Sequence, residues 1–377
     1  MRAIVIAAAV FSLAGAVHAQ STDAPPPWSG VWRGALGDLQ VRACFGTDSG
    51  SYYYLRHLKL IPLEHDEKSW TERSGAKDAA HWTLAPGGGD TLIGTWSGGG
   101  RALPIRLTRV TLSKAPNAVT GTREDEDPCG GMTFQAPRIV QPRVTRKSAV
   151  VDGARYTRLI ADVGKHFGAD IETFALDAST PAAQRINTAL AKTLPRLGAE
   201  APDYLVCTTQ ATGQFGEDGE FVDVLKPVLL TRRWLVSEEV NSGSCGGAHP
   251  YAGINYRLWS LTAGKTVDPW SWFIPSVAAK KPDQLPQISQ RLRKVLTARW
   301  RSEDKECADI ADDTEDWDIH PTRKGLAFWP QLPHVVFACS DDIVVPYRDL
   351  APLLNAEGRA YVASITRDLQ ALPPPRP

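Results

Sequence analysis

Six cysteines, at positions 44, 129, 207, 245, 307 and 339, stand in a chain of 377 residues whose first nineteen residues, "MRAIVIAAAVFSLAGAVHA", read as an export leader. Arg2 precedes an apolar run from Ala3 to Val17, and Val17 and Ala19 are the small residues that a signal peptidase requires before Gln20. The run is too short and wrongly flanked for a membrane span, and Ala16 stands where a lipoprotein leader would carry its cysteine. The expected mature protein begins at Gln20 and is periplasmic or secreted. In that oxidising environment cysteines are expected as disulfides rather than thiol nucleophiles. Six allow 15 pairings. Position favours Cys44 with Cys129, Cys207 with Cys245, and Cys307 with Cys339, three bridges between cysteines that are consecutive in the sequence.

The full chain carries 42 basic and 42 acidic side chains, and loss of Arg2 with the leader leaves one acidic group in excess. A balanced chain has no field for nucleic acid or an anionic membrane surface, so neither is expected as a partner.

Residues 28 to 110 alternate apolar and polar positions in short runs such as "LQVRACF" and "LPIRLTRV", broken by "PGGGD" and "SGGGR". This texture predicts an all-β domain, residues 20–136, folded as a small barrel or meander. Its aromatic residues Trp32, Tyr52, Tyr53, Tyr54, Trp82 and Trp96 suit a strand core or, alternatively, a ligand platform. Residues 137–153, "PRIVQPRVTRKSAVVDG", have no clear period and mark an expected linker. Beyond it the expectation is an α+β region, 154–268 and 269–377, with helices packed on an antiparallel sheet. Thr180 and Pro181 open one helix as cap and first residue, with Ala183, Ile186, Leu190 and Leu194 on one face. "QLPQISQRLRKVLTARW" is a second helix with Ile288, Leu292, Val295, Leu296 and Trp300 inward, and "AEGRAYVASITRDLQAL" a third. "YLVCTTQATGQF" and "HVVFAC" read as strands.

No G-x-S-x-G, H-E-x-x-H, C-x-x-C, P-loop or dinucleotide fingerprint occurs, so no catalytic residue, metal site or cofactor is expected from local motifs. Three features remain as candidate ligand contacts. The loop "NSGSCGGAHPYAGIN" holds His249 and Tyr251, with Gly246 and Gly247 supplying the positive φ of a sharp connection. Trp270 and Trp272 in "DPWSWF" share a strand-like spacing that suits core packing or glycan stacking. The segment from Glu303 to Asp318 has nine carboxylates, among them Asp312, Asp313, Glu315 and Asp316, without calcium-loop spacing. It reads as a solvated loop or as an acidic patch for a basic partner.

Two stretches carry a family resemblance over residues about 150–360: "GGAHP" followed by an Asn-containing strand and "AGKTVDPWSWF", and "GLAFWPQLPHVVFACSDDIVVPYRDLAPLL". The pattern resembles the RsiV-like extracytoplasmic domain, the family of the lysozyme-sensing anti-sigma factor RsiV and of the accessory part of the peptidoglycan deacetylase PdaC. The resemblance implies an extracytoplasmic binding domain whose partner is a lysozyme-like basic protein or peptidoglycan. No NodB-type deacetylase motif occurs, so neither deacetylation nor anti-sigma signalling carries over. The expected function is therefore non-catalytic binding in the envelope. The alternative is a cell-wall hydrolase or esterase with a site assembled from dispersed carboxylates and His249. The oligomeric state is not encoded in any of these features.

Overall fold

The computed structural model describes residues 26–374 except 67, 74–78, 118, 120, 199, 281–283, 304–306, 308, 309 and 311–313. The leader, its junction at Gln20, Asp312 and Asp313 lie outside the described residues.

The N-terminal alternation closes on itself. Strands β1 (Gly30–Leu36), β2 (Leu39–Phe45), β3 (Ser49–Tyr54), β4 (Ile61–His65), β5 (Trp70–Glu72), β6 (His81–Pro86), β7 (Thr91–Gly98) and β8 (Arg101–Arg109) form a closed antiparallel barrel. Each strand pairs with its sequence neighbour, and β8 returns to β1 through Gly34↔Leu107. Closure leaves no unpaired edge. The register Trp32↔Ala43↔Tyr52 points one set of side chains inward, where Trp32, Phe45, Tyr52, Trp70 and Trp82 fill the lumen. The alternate set Val31, Cys44 and Tyr53 points outward, yet it too is buried, against Cys129 and Phe134 of the following segment. Both faces of β1–β3 are therefore covered, which explains why the aromatic residues there serve as core.

The remainder is built on a sheet of seven strands: β9 (Arg143–Val151), β10 (Ala154–Asp162), β11 (Gly168–Ala175), β12 (Glu220–Leu230), β13 (Trp234–Ser244), β14 (Tyr251–Ser260) and β15 (Lys265–Val267), in sequence order across the sheet. It is mixed rather than antiparallel, because β11 and β12 run parallel. A parallel pair needs a crossover. Helices Pro181–Leu190 and Asp203–Phe215 supply it. The first is capped as expected, Thr180 accepting from the Ala183 amide and Pro181 at the first turn, with Ala183, Ile186 and Leu190 buried; Leu194 falls beyond it. The second corrects the strand reading of "YLVCTTQATGQF". Its residues favour strands by composition, but Tyr204, Leu205, Thr208, Ala211 and Thr212 recur on one helical face. Thr209 and Thr212 also return their hydroxyls to carbonyls four residues back. Tertiary burial overrides propensity.

The segment expected as a linker contains β9, an exposed edge strand; its polar residues hid a strand whose two faces both meet solvent. A short ribbon, β16 (Ala278–Ala279) and β17 (Gln287–Ile288), takes Ile288 out of the following helix Gln290–Glu303, whose Leu292, Leu296 and Trp300 are buried. A three-stranded sheet, β18 (Trp317–Pro321), β19 (Leu326–Pro330) and β20 (Ile343–Val345), and the helix Ala356–Gln370 complete the largest core. "HVVFAC" is a 3-10 helix after Pro333 rather than a strand; Val335 is 80% exposed, so nothing rewards alternation there. The disulfides are Cys44–Cys129, Cys207–Cys245 and Cys307–Cys339. Among the described residues no helix is long and apolar enough to cross a membrane.

Candidate ligand cleft

Residues paired across strands share a sheet face. The register Ile171↔Asp223↔Asn241↔Gly253 and Leu225↔Glu239↔Asn255, with Ser237↔Arg257 beside it, defines the face that receives the two crossover helices. Where helix Pro181–Leu190 covers it, the face is apolar: Leu225, Leu235 and Trp259 pack on Ile186 and Leu190. Beyond that helix it turns polar, with Asp223 and Glu239 on it. There a cleft of about 390 Å³ opens, floored by Ile171, Phe221, Asp223 and Glu239 and walled by residues 192–196 and 200–204.

Two residues lining this cleft each hold a buried polar atom without a partner: the Tyr204 hydroxyl and Asp223 Oδ1. Tyr204 is 0% exposed, and burial pushes its hydroxyl up to about 12. Burial also raises the Asp223 carboxyl to about 6, helped by the charges of Glu239 and Asp203 and opposed by Arg257. Glu239 is satisfied, accepting from the Arg257 guanidinium at 2.6 Å. A buried polar group without a partner costs free energy and in native proteins commonly marks a functional position.

That cost is measurable. Because the fold holds the Asp223 carboxyl above its ordinary value, the ionised form is disfavoured when folded. Stability is diminished above pH 6 and restored as pH falls toward 4. Asp223→Asn removes the charge. It is expected to stabilise the protein at pH 7.5 by about 1 kcal/mol, a figure reduced for partial solvent exposure. The gain should fade by pH 4.5. Urea unfolding at both pH values checks this, and an unchanged or lowered midpoint at pH 7.5 refutes it.

The sequence candidates are scattered. Cys245, bonded to Cys207 of the cleft's helix, fixes the "GGAHP" turn, where Gly246 and Gly247 take φ of +80° and +126°. His249 is exposed on that turn. Tyr251 lies close enough to the cleft for Asp203 and Asp223 to raise its hydroxyl, though burial contributes more. Trp270 and Trp272 are corrected to core. They sit on a 3-10 helix, 4% and 0% exposed, Trp272 stacked on Tyr361 at 5.3 Å and Trp270 edge-on to Phe328. Trp270 reaches the edge of a neighbouring cleft with only that small exposure. Glu315 is exposed, and Asp316 is half-buried with its carboxyl raised by that burial. Neither lines the cleft. Asp223, Glu239 and Tyr204 went unnoticed in sequence; the one signal was a lone Asp inside the apolar run "FVDVL".

A second polar cluster joins the two sheets. The His320 ring stacks on Tyr256 at 3.6 Å, its Nε2 lies 3.4 Å from Asp342, and Asp318 accepts from the Tyr256 amide. His320 and Asp318 share the polar face of the three-stranded sheet, while Trp317, Ile319 and Phe328 of the other face enter the core. Tyr256 and Asp318 of this cluster line a second cleft of about 430 Å³, together with Asp268, Trp270 and Lys280.

Fold and site together define a disulfide-bonded protein of two domains, an eight-stranded barrel and a mixed sheet with helices, carrying an open polar cleft in the second. Three disulfides fit folding in an oxidising, extracytoplasmic compartment. No family model and no curated protein matches the sequence. Among solved structures the chain is similar to a DUF3298 family member from Bacteroides fragilis, at 11% identity and a TM-score of 0.36 over 62% of this chain and 98% of that one. It is also similar to a DUF3298 family protein from Pseudomonas aeruginosa, at 13% identity and a TM-score of 0.33 over 57% of this chain and 95% of that one.

Proposed function

We propose that the chain is an exported, non-catalytic binding protein of the bacterial envelope, mature from Gln20, and that its cleft receives cell-wall material. The barrel lies within residues 20–136, and the binding module is built on the seven-stranded sheet that begins at β9. One observation carries the reading: Tyr204 and Asp223, which both line one solvent-open cleft, each hold a buried polar atom without a partner. A ligand supplying their hydrogen bonds recovers a desolvation cost already present in the free protein, on the order of 1–3 kcal/mol per group.

Titration calorimetry of the mature protein with soluble peptidoglycan fragments is expected to give saturable binding without turnover. Tyr204→Phe combined with Asp223→Asn should weaken it about tenfold or more. Lysozyme is the control partner. Saturable lysozyme binding that weakens with salt, with no response to the fragments, would reassign the ligand to a basic protein and the surface to the 303–318 segment.

A hydrolytic reading has one observation behind it: a carboxyl raised by burial, Asp223, shares a face with a second carboxyl, Glu239, held by Arg257. A carboxyl raised by burial suits a general acid. Fragment cleavage lost in Asp223→Asn would replace binding by hydrolysis.

A further inference from the structure

One edge of the seven-stranded sheet is open. The nine residues of β9 pair with β10 on one side, and among the described residues no strand pairs with the other side. Alternate residues of such an edge turn their N–H and C=O groups outward, so about four residues of β9 offer unmade backbone hydrogen bonds. Natural edges are blunted by shortness, proline, bulges or charge. Of these β9 has charge alone: its register with β10 runs unbroken from Arg143↔Asp162 to Val151↔Ala154, and it contains no proline. The opposite side of the sheet is treated differently. There β15 has three residues, and on β14 the Tyr256 amide and the Ile254 carbonyl are taken by the side chains of Asp318 and Gln331.

The charge on β9 has one sign. Arg143, Arg146 and Lys147 are exposed, and none of the nine residues is acidic. Across the ladder Arg143 meets Asp162, but Arg146 meets Leu159, and Lys147 meets Arg158, whose guanidinium is already held by Glu172. Neither Arg146 nor Lys147 is ion-paired among the described residues. As consecutive strand residues they project to opposite faces. Val144 and Val150, 42% and 49% exposed, share the face of Arg146. The hairpin itself is held in place, because Asp152 in its turn accepts from the Leu230 amide at 2.9 Å and pairs with Arg323. A preformed edge costs little to order on binding.

We propose that β9 is a docking edge for an extended acidic segment of a partner protein, which joins the sheet as a further strand and sets acidic side chains against Arg146 on one face and Lys147 on the other. The placement of the charges selects this occupant. A rod-like polyanion lies along one face and answers one of the two cations, whereas an added strand carries side chains on both faces and makes the backbone bonds as well. A second copy of this chain, paired about the middle of β9, sets Lys147 against Lys147 or Arg146, and like charges directly opposite are destabilising. Apolar side chains of the incoming strand over Val144 and Val150 complete the pairing. None of these residues lines the cleft, so docking here is independent of what the cleft binds.

The probes are two capped peptides as long as β9, one for each strand direction, with glutamate opposite Arg146 and Lys147, valine opposite Val144 and Val150, and threonine elsewhere. Fluorescence anisotropy with the mature protein at low salt is expected to show saturable binding of one of them. Glutamine in place of the glutamates should weaken it about three- to tenfold, the scale of two exposed charge pairs. N-methylation of alternate amides should abolish binding in one phase and leave it within about threefold in the other, since only every second residue bonds to the edge. Amide hydrogen exchange should slow along β9 in the complex. Arg146→Glu with Lys147→Glu should lose the glutamate peptide and take up its lysine counterpart, and unchanged thermal unfolding of that variant shows that the hairpin is intact. Equal binding in both methylation phases, or polygalacturonate binding that depends on Arg146 and Lys147 as strongly as the peptide's does, would replace strand addition by simple attraction of anions and overturn the proposal. Dimers that protect β9 from exchange would overturn it in favour of a second copy. No saturable binding of either peptide at about 1 mM would sink it outright.

Discussion

Reduction of the three disulfides is expected to lower the melting temperature by more than about 20 °C. The bridges close loops of 85, 38 and 32 residues. Chain-entropy arguments assign such loops about 4.6, 3.9 and 3.7 kcal/mol respectively. Together that is about 12 kcal/mol, comparable with the whole stability of a typical native protein, about 5–15 kcal/mol. For chains of this size each kilocalorie moves the midpoint by roughly 2 °C. The locations reinforce the arithmetic. Cys44–Cys129 fastens barrel strand β2 to the segment that covers its outer face. Cys207–Cys245 fastens the cleft's helix to the end of β13, which carries Glu239 on the cleft floor, so its loss should loosen the site as well as the fold. Cys307–Cys339 ties down the segment after helix Gln290–Glu303. Circular dichroism melts with and without reductant, the reduced sample alkylated, give the comparison. A shift under about 5 °C would show that the packed cores carry the fold unaided.

The parts of this fold that were legible in sequence are those where one physical rule acts alone. Alternation in the barrel strands is legible because each lumen-facing residue is followed by one facing outward, and the cap at Thr180 is legible because one side chain satisfies one orphan amide. Legibility fails where two environments overlap. Helix Asp203–Phe215 is written in strand-forming residues because its threonine hydroxyls are absorbed by the helix's own carbonyls and by its buried face. Trp270 and Trp272 are spaced like strand residues but occupy a single turn, where both enter the core.

The cleft was illegible for a different reason. Ile171, Asp223 and Glu239 lie on three strands, and Tyr204 on the crossover helix that joins the first two of them in sequence. No spacing in the chain records that convergence. It exists only after β11 and β12 have been set parallel and the crossover segment has been laid across them. A site of this kind leaves a single trace in sequence, an ionisable residue at a strand position whose neighbours are apolar, and Asp223 is that residue.

Arg138→Met is expected to destabilise the protein by about 3–5 kcal/mol, the cost of breaking one side of a buried ion pair. Arg138 lies in the segment that reads as a linker, yet it is 0% exposed. Its Nε donates to the Leu58 carbonyl at 2.8 Å, one terminal nitrogen to Gln135 at 3.0 Å, and the other to Asp218 at 2.5 Å. The guanidinium also stands 5.6 Å from the Tyr53 ring centre and 5.0 Å from that of Phe167. Leu58 and Tyr53 belong to the barrel side, Phe167 and Asp218 to the mixed sheet, so one cation fastens the two together. Gly216 lets the surfaces meet: a Cβ there would lie 2.2 Å from the Gly50 carbonyl oxygen of β3, and its φ of +67° is one that glycine adopts without strain. Methionine keeps much of the arginine's volume but strands the Asp218 carboxylate and the Leu58 carbonyl. Lysine should not rescue, since a single ammonium cannot present the planar fork that three separate acceptors receive. The double variant Arg138→Met with Asp218→Asn should recover part of the loss, because the uncompensated charge is gone. Urea unfolding of the three variants gives the free energies, and limited proteolysis near residue 140 reports whether the barrel has come away. Arg138→Met within about 1 kcal/mol of the parent would show that the two domains are held by their apolar contacts and the Cys44–Cys129 bridge, with the buried pair incidental.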